Sequence, residues 1–347
     1  MTPLFRASTP EDAAAIARFL QAVFGSDPRE PYLQPDHMRW KYWQPRTDWP
    51  GSRSFVLEYG GSIGAHGAAW PTRILTPSGA VDAFFLFDWA ADPNRPGAGF
   101  SLMRRMAEIA GIVCGFGGSD AARRTRAAMG FRPHNEVQVF ARPLKPFRQM
   151  VTHRDRSWKS PVRLARNLAW SLGRAAAMAG WSAREIDPQS AGSIAVPFPE
   201  PSGNRCVFEQ SGERLAYLRA CPTAESRLYA VFIQDRITGY FFLTFVPGQA
   251  RVSDAWLETD DVNRWGNLYR LAAQAASAHP DANEVVAYAA TPAAIGGIPA
   301  AGFHKRASDN VLLYDPESRI PADADLHLQM VHGDMAFWHM GKAEYLT

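Results

Sequence analysis

The sequence lacks the features that mark several common classes of protein. Its 347 residues include three cysteines, Cys114, Cys206 and Cys221. None forms a C-x-x-C pair, so we expect no disulfide framework and no metal site. No apolar run reaches the length of about 18 residues that a membrane-spanning helix needs. The formal net charge of +3 gives no strong attraction to nucleic acid.

The opening residues lack the pattern of a signal peptide. The stretch "MTPLFRASTPEDAAAIARFL" has acidic residues inside its helical run and no apolar segment followed by a cleavage site. With the few unpaired cysteines, this favours a reduced, cytoplasmic location. The composition, 46% hydrophobic and 20% charged, is that of a globular protein, and the length suits two domains.

What is present is a mixed pattern of strands and helices in the first 145 residues. A strand in "PLFRAS" precedes a helix that Thr9 caps, with Asp12 completing a capping box. A hairpin around "GG" follows, then the strand "AVDAFFLFDWAAD" and a helix ending at Gly111. Another strand, a helix capped by Ser119 and a last strand complete the unit. The pattern predicts an α/β fold with a mixed sheet.

The second half repeats this order of elements. Pro45 corresponds to Pro222, an offset of 177, and Gly64 corresponds to Gly239, an offset of 175. The "GF" of the late helix recurs as "GF" ending at Phe303. Offsets this close predict two tandem copies of one fold.

The predicted boundaries follow from these landmarks. They are residues 1–145 for the first copy, 146–205 for a linker, 206–318 for the second copy and 319–347 for a C-terminal extension. Within the linker, Leu164, Leu168 and Leu172 form a stripe flanked by arginines, including Arg174, which predicts a basic amphipathic helix. Such a helix packs its leucines on a domain more often than on an anionic membrane surface.

A glycine loop after the third strand of the hairpin meander suggests anion binding. In "DWAADPNRPGAGFSLMRRMAEIAG" (residues 88–111), Gly97 and Gly99 stand where a helix begins. The first turn of a helix offers unpaired N–H groups and a partial positive charge. Glycines would let a diphosphate approach that backbone closely. A plain structural turn is the alternative.

The loop and the order of elements around it resemble the GNAT superfamily of acyl-CoA N-acyltransferases. The residues at the matching places of the family's loop are Ala91, Pro93, Gly97, Gly99, Phe100 and Ser101. The resemblance implies that the backbone N–H groups of residues 97–101, Ala98 included, hold the diphosphate of acetyl-CoA or another acyl-CoA. Arg123 and Arg124 could meet the 3′-phosphate. The acceptor would be an amine of a small molecule or a glycan, such as an amino sugar or a cell-envelope polysaccharide precursor.

The sequence also departs from the family's pattern. Pro96 stands where the family's loop has Arg or Gln, and Arg126 stands where the family often has the Tyr that acts as general acid. The second copy has no glycine loop. A Fem-type transferase that uses aminoacyl-tRNA, or a GNAT-like binding protein without catalysis, therefore stays open.

Two residues near the loop are candidates for proton transfer. Asp88 lies near the end of an apolar strand, where partial burial is expected to raise its pKa toward that of a general base. His66 in the returning hairpin strand could accept a proton or simply pack. Asp254 occupies the place of Asp88 in the second copy, which favours a structural role. The aromatic segment "WKYW" could be core or a substrate wall.

Overall fold

One continuous mixed sheet runs through both halves of the chain. The computed structural model describes residues 2–152, 160–172 and 179–347. The strands are β1 (Leu4–Ala7), β2 (Ser54–Tyr59), β3 (Ser62–Thr76), β4 (Gly79–Ala91), β5 (Ile112–Gly115), β6 (Arg132–Pro143), β7 (Trp181–Ile186), β8 (Arg205–Phe208), β9 (Glu225–Ile233), β10 (Arg236–Val246), β11 (Gln249–Leu257), β12 (Glu284–Ala289), β13 (His304–Tyr314) and β14 (Asp325–His327). The helices are α1 (Ala13–Phe24), α2 (Pro35–Met38), α3 (Ala98–Ala110), α4 (Asp120–Ala128), α5 (Pro146–Thr152), α6 (Ser160–Leu172), α7 (Gly212–Arg219), α8 (Val262–Ala278) and α9 (Pro292–Gly297).

The first copy is built as its sequence predicts. β1 to β4 form an antiparallel meander, and α3 connects β4 to its parallel neighbour β5. The capping box at the start is confirmed, because the Thr9 N–H donates to Asp12 Oδ2 at 2.8 Å. α3 ends where Gly111 takes a φ of 75°, a conformation that glycine adopts without strain.

The second copy repeats this order, and the two copies exchange their last strands. β7, β9, β10, β11 and β12 follow one another in the sheet as β1 to β5 do. β13, from the second copy, lies between β5 and β6, while β6, from the first copy, lies between β13 and β12. Each copy is therefore completed by a strand of the other, which the sequence pattern did not predict. The α/β class and the tandem architecture are confirmed.

The helices cover the two faces of the sheet unequally. On the face of α1, one core runs through both copies and includes the C-terminal residues Leu326, Leu328 and Phe337. On the opposite face, α3 covers the first copy and α8 covers the second, each over its own core. The C-terminal segment is thus part of the shared core.

The segment between the copies contains more structure than a linker helix. Trp181–Ile186, inside the range predicted as linker, forms β7 and pairs with β9. The predicted helix is α6, where Leu164 and Leu168 are half-buried and Leu172 is 80% exposed. Arg174 lies outside the described residues. Within the described ranges, no helix is long and apolar enough to cross a membrane.

Candidate functional site

A β-bulge in β4 redirects the candidate residue Asp88. The pairing of β4 with β3 shifts register between His66 and Ala68, and Asp88 has a φ of 47°. An extra residue in one strand reverses the alternation of side chains beyond it. Phe87 lies in the core on the α1 face, Asp88 points to that face as well, and Trp89 packs under α3.

The Asp88 side chain ends in a buried ion cluster. Its Oδ2 accepts hydrogen bonds from Lys41 Nζ and from the Tyr42 hydroxyl, both at 2.6 Å. Lys41 Nζ also donates to Asp334 Oδ2 at 2.8 Å, and the Lys41 side chain is only 1% exposed. A π-helical turn, Arg39–Trp43, places Lys41 and Tyr42 at the bulge. Two carboxylates from distant parts of the chain thus share one ammonium group.

The expectation of a raised pKa for Asp88 is wrong. Burial raises it, but the charge of Lys41 and the donors Lys41 and Tyr42 outweigh burial, and the net pKa is lowered. Asp334 has a raised pKa, because burial and the neighbouring Asp88 charge outweigh the effect of Lys41. Asp88 is therefore held ionised with two donors in place, which is a poor starting point for a general base.

His66 fixes the bulge from the neighbouring strand. It is fully buried, and its Nδ1 lies 2.9 Å from the Asp88 carbonyl oxygen. Because a carbonyl only accepts, Nδ1 carries the proton, and Nε2 is left to accept from Ser54 Oγ at 2.9 Å. Burial lowers the pKa of His66 to about 4, so the ring is neutral near pH 7. The imidazole holds an unusual backbone conformation in place.

Beyond the bulge, one edge of β4 is open. β4 pairs with β5 only from Ala83 to Phe85, while β4 itself continues to Ala91. The two parallel strands therefore separate at their carboxyl ends. Trp89 bridges this edge to the next helix, since its Nε1 donates to the Gly99 carbonyl at 3.3 Å.

The predicted glycine loop forms the uncapped start of α3. Gly97 has a φ of 84°, and no described atom lies within 4 Å of the position of a Cβ on it. Gly99 has a different role, since a Cβ there would lie 3.0 Å from the Ala91 Cβ. The amides of Ala98 and Ser101 are bonded to Arg95 and Gly97 carbonyls.

Three amides of this loop have no acceptor in the part of the chain that the structure describes. Those of Gly97, Gly99 and Phe100 make no hydrogen bond with any described residue. The residue before the helix is a glycine, which has no side chain to cap them. A helix start without a cap leaves its positive end open to an anion.

The second copy closes the corresponding place. Asp261 caps α8, its Oδ1 accepting from the amides of Asn263 at 2.8 Å and Arg264 at 3.2 Å. Helices α8 and α9 also touch directly, since a Cβ on Gly297 would lie 2.7 Å from the Gly266 amide nitrogen. Within the described residues, only the first copy offers an uncapped glycine loop beside its splayed strands.

The other residues singled out in the sequence lie on α4 or at its start. Arg123 pairs with Asp309 of β13 through two hydrogen bonds, of 2.9 and 2.6 Å, so this guanidinium is already engaged across the copies. Arg124 is exposed. Ser119 Oγ accepts from the Ala122 amide at 3.3 Å, which confirms its capping role. Arg126 is 5% exposed, and its Nη2 donates to the carbonyl of Gly117, just beyond β5.

The aromatic segment before β2 belongs to the core. Trp40 is 2% exposed and Tyr42 is fully buried. The residue that sequence reasoning missed is Lys41, which lies between them. A single lysine among buried aromatics was the available signal, because burial of such a cation requires an anionic partner. Within the described ranges, no three His, Cys, Asp or Glu side chains form a metal-binding group.

Comparison with known proteins supports the fold. No protein-family model matches the sequence, and no curated protein matches it. A solved tandem GNAT protein from the clavulanic acid biosynthesis pathway matches with a TM-score of 0.57 and 13% identity, over 90% of this chain and 98% of that one. The chain has the tandem GNAT fold.

Two further solved structures agree with this fold. A GCN5-related N-acetyltransferase from Anabaena variabilis has a TM-score of 0.55 and 10% identity, over 90% of this chain and 72% of its own. One from Kribbella flavida has a TM-score of 0.53 and 14% identity, over 92% and 74%. At these identities the likeness concerns architecture, and activity has to be argued from the site.

Proposed function

We propose that the first copy binds an acyl-CoA, with acetyl-CoA the first candidate, and transfers its acyl group to an amine. The observation that carries this proposal is the uncapped start of α3 beside the splayed strand β4, which the second copy replaces with a carboxylate cap. The clavulanic-acid tandem protein was solved without AcCoA, which makes acetyl-CoA a natural first ligand to test.

The loop suits the charged part of such a substrate. The free amides of Gly97, Gly99 and Phe100 can donate to diphosphate oxygens, and the helix dipole adds to the attraction. The open edge of β4 beyond Phe85 can pair with the amide groups of an extended arm, as a further strand would. Exposed Arg124 is the remaining candidate for a peripheral phosphate, because Arg123 is paired with Asp309.

The chemistry we propose is direct attack by the amine on the thioester carbonyl. A C–N bond forms, the C–S bond breaks, sulfur leaves as thiolate, and the proton that the nitrogen loses passes through solvent water to that thiolate. A backbone N–H on the free edge of β4 would stabilise the developing oxyanion, and the fixed geometry supplies proximity. In this proposal, Asp88 and His66 hold the bulge that shapes this edge and do not exchange protons with the substrate.

Arg126 is our candidate for stabilising the leaving thiolate. It occupies the place of the family's acidic Tyr, and its buried guanidinium lies at the end of β5, with Nε unpartnered among the described residues. The corresponding residue of the second copy is Ile298, at the offset of 172 that relates Phe131 to Phe303. A cation would stabilise the thiolate by charge instead of by protonation.

If Arg126 stabilises the leaving thiolate, replacing it should lower kcat and leave KM almost unchanged. Arg126→Gln should lower kcat by about 100-fold, since a charge that acts on the transition state is lost, with the KM for acetyl-CoA little changed. The matched variant Arg124→Gln, on the same helix, should raise KM instead. Thiol release under varied acetyl-CoA concentration measures both, and equal kcat values for the two variants would contradict the role of Arg126.

The acceptor we propose is an amine of a small molecule or a glycan. The calorimetric titration of the full chain with acetyl-CoA tests the substrate, and thiol release with glucosamine or a primary alkylamine tests the transfer. Binding at micromolar to millimolar concentration with amine-dependent thiol release is expected. Binding without turnover would favour a non-catalytic protein, and no binding at millimolar acetyl-CoA would overturn the proposal.

A further inference from the structure

A cavity lined by residues of both copies lies on the α1 face of the sheet. Its volume is about 800 Å³, within the range of small-molecule sites. One wall is the loop from Gln44 to Asp48, which follows the π-helical turn, and the other is one side of α7, together with Glu209–Ser211 before it and Ala220 after it. Two of its lining residues, Arg46 and Arg214, are buried arginines.

Arg214 is a buried cation that forms no ion pair with any residue the structure describes. It is 8% exposed, and its Nη1 donates to Thr72 Oγ1 at 3.1 Å. Its Nε and Nη2 have no hydrogen-bond partner among the described residues. Burial and the charge of Arg46 lower the pKa of Arg214 to about 10, so the group is still charged near pH 7. A buried charge in this state is costly unless an anion joins it.

The free donors of Arg214 form a fork that suits a carboxylate. Nε and Nη2 lie on one edge of the planar guanidinium, and two parallel N–H groups match the two oxygens of a carboxylate. In the same cavity, the guanidinium of Arg46 already binds a carboxylate through two parallel hydrogen bonds. Its Nε donates to Asp48 Oδ1 at 2.8 Å, and its Nη2 donates to Asp48 Oδ2.

The acidic residues of the cavity lie at its rim and do not neutralise Arg214. The Asp48 and Glu209 side chains are 48% and 42% exposed, and they pair with Arg46 and with Arg73. Glu213 is exposed and accepts from Thr47 at 3.0 Å.

Asp254 also influences Arg214, but only through space. Its oxygens accept from Gln210, Tyr240 and the Ala255 amide. The interior of the cavity therefore carries positive charge, and its rim carries acidic side chains.

We propose that this cavity binds a small-molecule carboxylate, and that a small rotation of the buried Arg214 guanidinium lets its Nε and Nη2 donate hydrogen bonds to the two carboxylate oxygens. The site is separate from the acyl-transfer site. Thr72, which anchors Arg214, lies six residues beyond His66 on β3, which corresponds to about 20 Å of strand. The acidic rim favours ligands whose other end is neutral or cationic, as in an amino acid.

Calorimetric titration of the full chain with L-alanine, L-lysine and propionate, whose ends away from the carboxylate are cationic or neutral, tests this site, with inorganic phosphate as the competing anion. At least one carboxylate should bind, and Arg214→Gln should weaken it at least about tenfold. Arg214→Lys should weaken it as well, because the charge stays but the fork is lost. Arg219→Gln, on the same helix but outside the cavity, should bind as the unaltered chain does.

Two further measurements separate this site from a structural effect. Removing an unpaired buried charge should leave the thermal midpoint of Arg214→Gln unchanged or raised, and its acetyl-CoA affinity unaltered. Should that variant fail to fold, Thr72→Val removes only the hydroxyl that positions Arg214 and should weaken binding several-fold. No binding of any carboxylate at millimolar concentration, binding of phosphate alone, or full affinity in Arg214→Gln or in Thr72→Val would overturn the proposal.

Discussion

The two copies place an aspartate at the same kind of bulge and treat it in opposite ways. In the first, Asp88 accepts from Lys41 and Tyr42, and its pKa is lowered. In the second, Asp254 lies where β11 shifts register against β10, and it accepts from Tyr240 at 2.9 Å and Gln210 at 2.7 Å, without a cation. Burial then raises its pKa to about 6.

The N-termini of α3 and α8, the helices that follow these two strands, also differ between the copies. In the first copy, the amides of Gly97, Gly99 and Phe100 have no partner among the described residues, whereas in the second copy the Asp261 carboxylate accepts from two amides of α8. A site that must accept an anion has to keep its donors free, and a site without a ligand is more stable with them capped. Under the proposed function, the first copy binds its ligand through donors that the second copy caps with its own side chain.

The largest effect is expected at the ion cluster of the first copy. Lys41→Met would leave Asp88 and Asp334 buried beside each other without a cation. We expect the free energy of unfolding to fall by about 3–5 kcal/mol at pH 7, measured by urea unfolding. Asp334→Asn is the matched control, since it leaves the Lys41–Asp88 pair intact and should cost much less. Equal losses in the two variants would show that the cluster does not depend on its shared ammonium.

The buried Asp254 of the second copy should make the free energy of unfolding fall as the pH rises. The pKa of Asp254 is about 6 in the fold and ordinarily 3.8. Since the folded state holds this proton more tightly, the contribution to stability is complete below pH 4 and is lost as pH rises through 6. The loss amounts to about 3 kcal/mol.

Asp254→Asn should remove this slope. The difference in unfolding free energy between the unaltered chain and the variant, followed from pH 4 to pH 7.5, should change by about 2.5 kcal/mol in favour of the variant. A difference that stays constant with pH would contradict the burial of Asp254 among neutral hydrogen-bond donors. Arg214, the charged neighbour of Asp254, is protonated throughout this range.

A smaller effect is expected at the helix cap of the second copy. Asp261→Ala should lower the free energy of unfolding by about 1 kcal/mol, because two amides of α8 lose their acceptor. Asp261→Asn should recover most of it. Chemical denaturation at pH 7 measures both, and an unaffected Asp261→Ala would show that α8 does not need its cap.

Local features of the fold could be predicted from the sequence. The hairpin around Gly60 and Gly61, the Ser119 cap and the end of α3 at Gly111 depend on neighbouring residues, and each has a short-range signature. The tandem repeat was visible because equivalent glycines and prolines kept their spacing.

The contacts that shape the candidate site are long-range, and no local pattern reports them. Lys41 meets Asp334 across 293 residues, and Arg123 meets Asp309 across 186. The pKa of Asp88 could not be inferred without Lys41, because burial alone gives the opposite direction. The exchange of β6 and β13 also lies beyond sequence periodicity, since their hydrophobic patterns would fit either copy.

The most direct test of the account compares acetyl-CoA binding by Gly97→Asp and Gly97→Asn. Both side chains tolerate the left-handed backbone of Gly97 and have the same size, but only aspartate brings the charge that caps α8 in the second copy. If the start of α3 holds the diphosphate, Gly97→Asp should bind acetyl-CoA at least about tenfold more weakly than Gly97→Asn, a difference of about 1.4 kcal/mol. Equal dissociation constants for the two variants would contradict a diphosphate site at the start of α3.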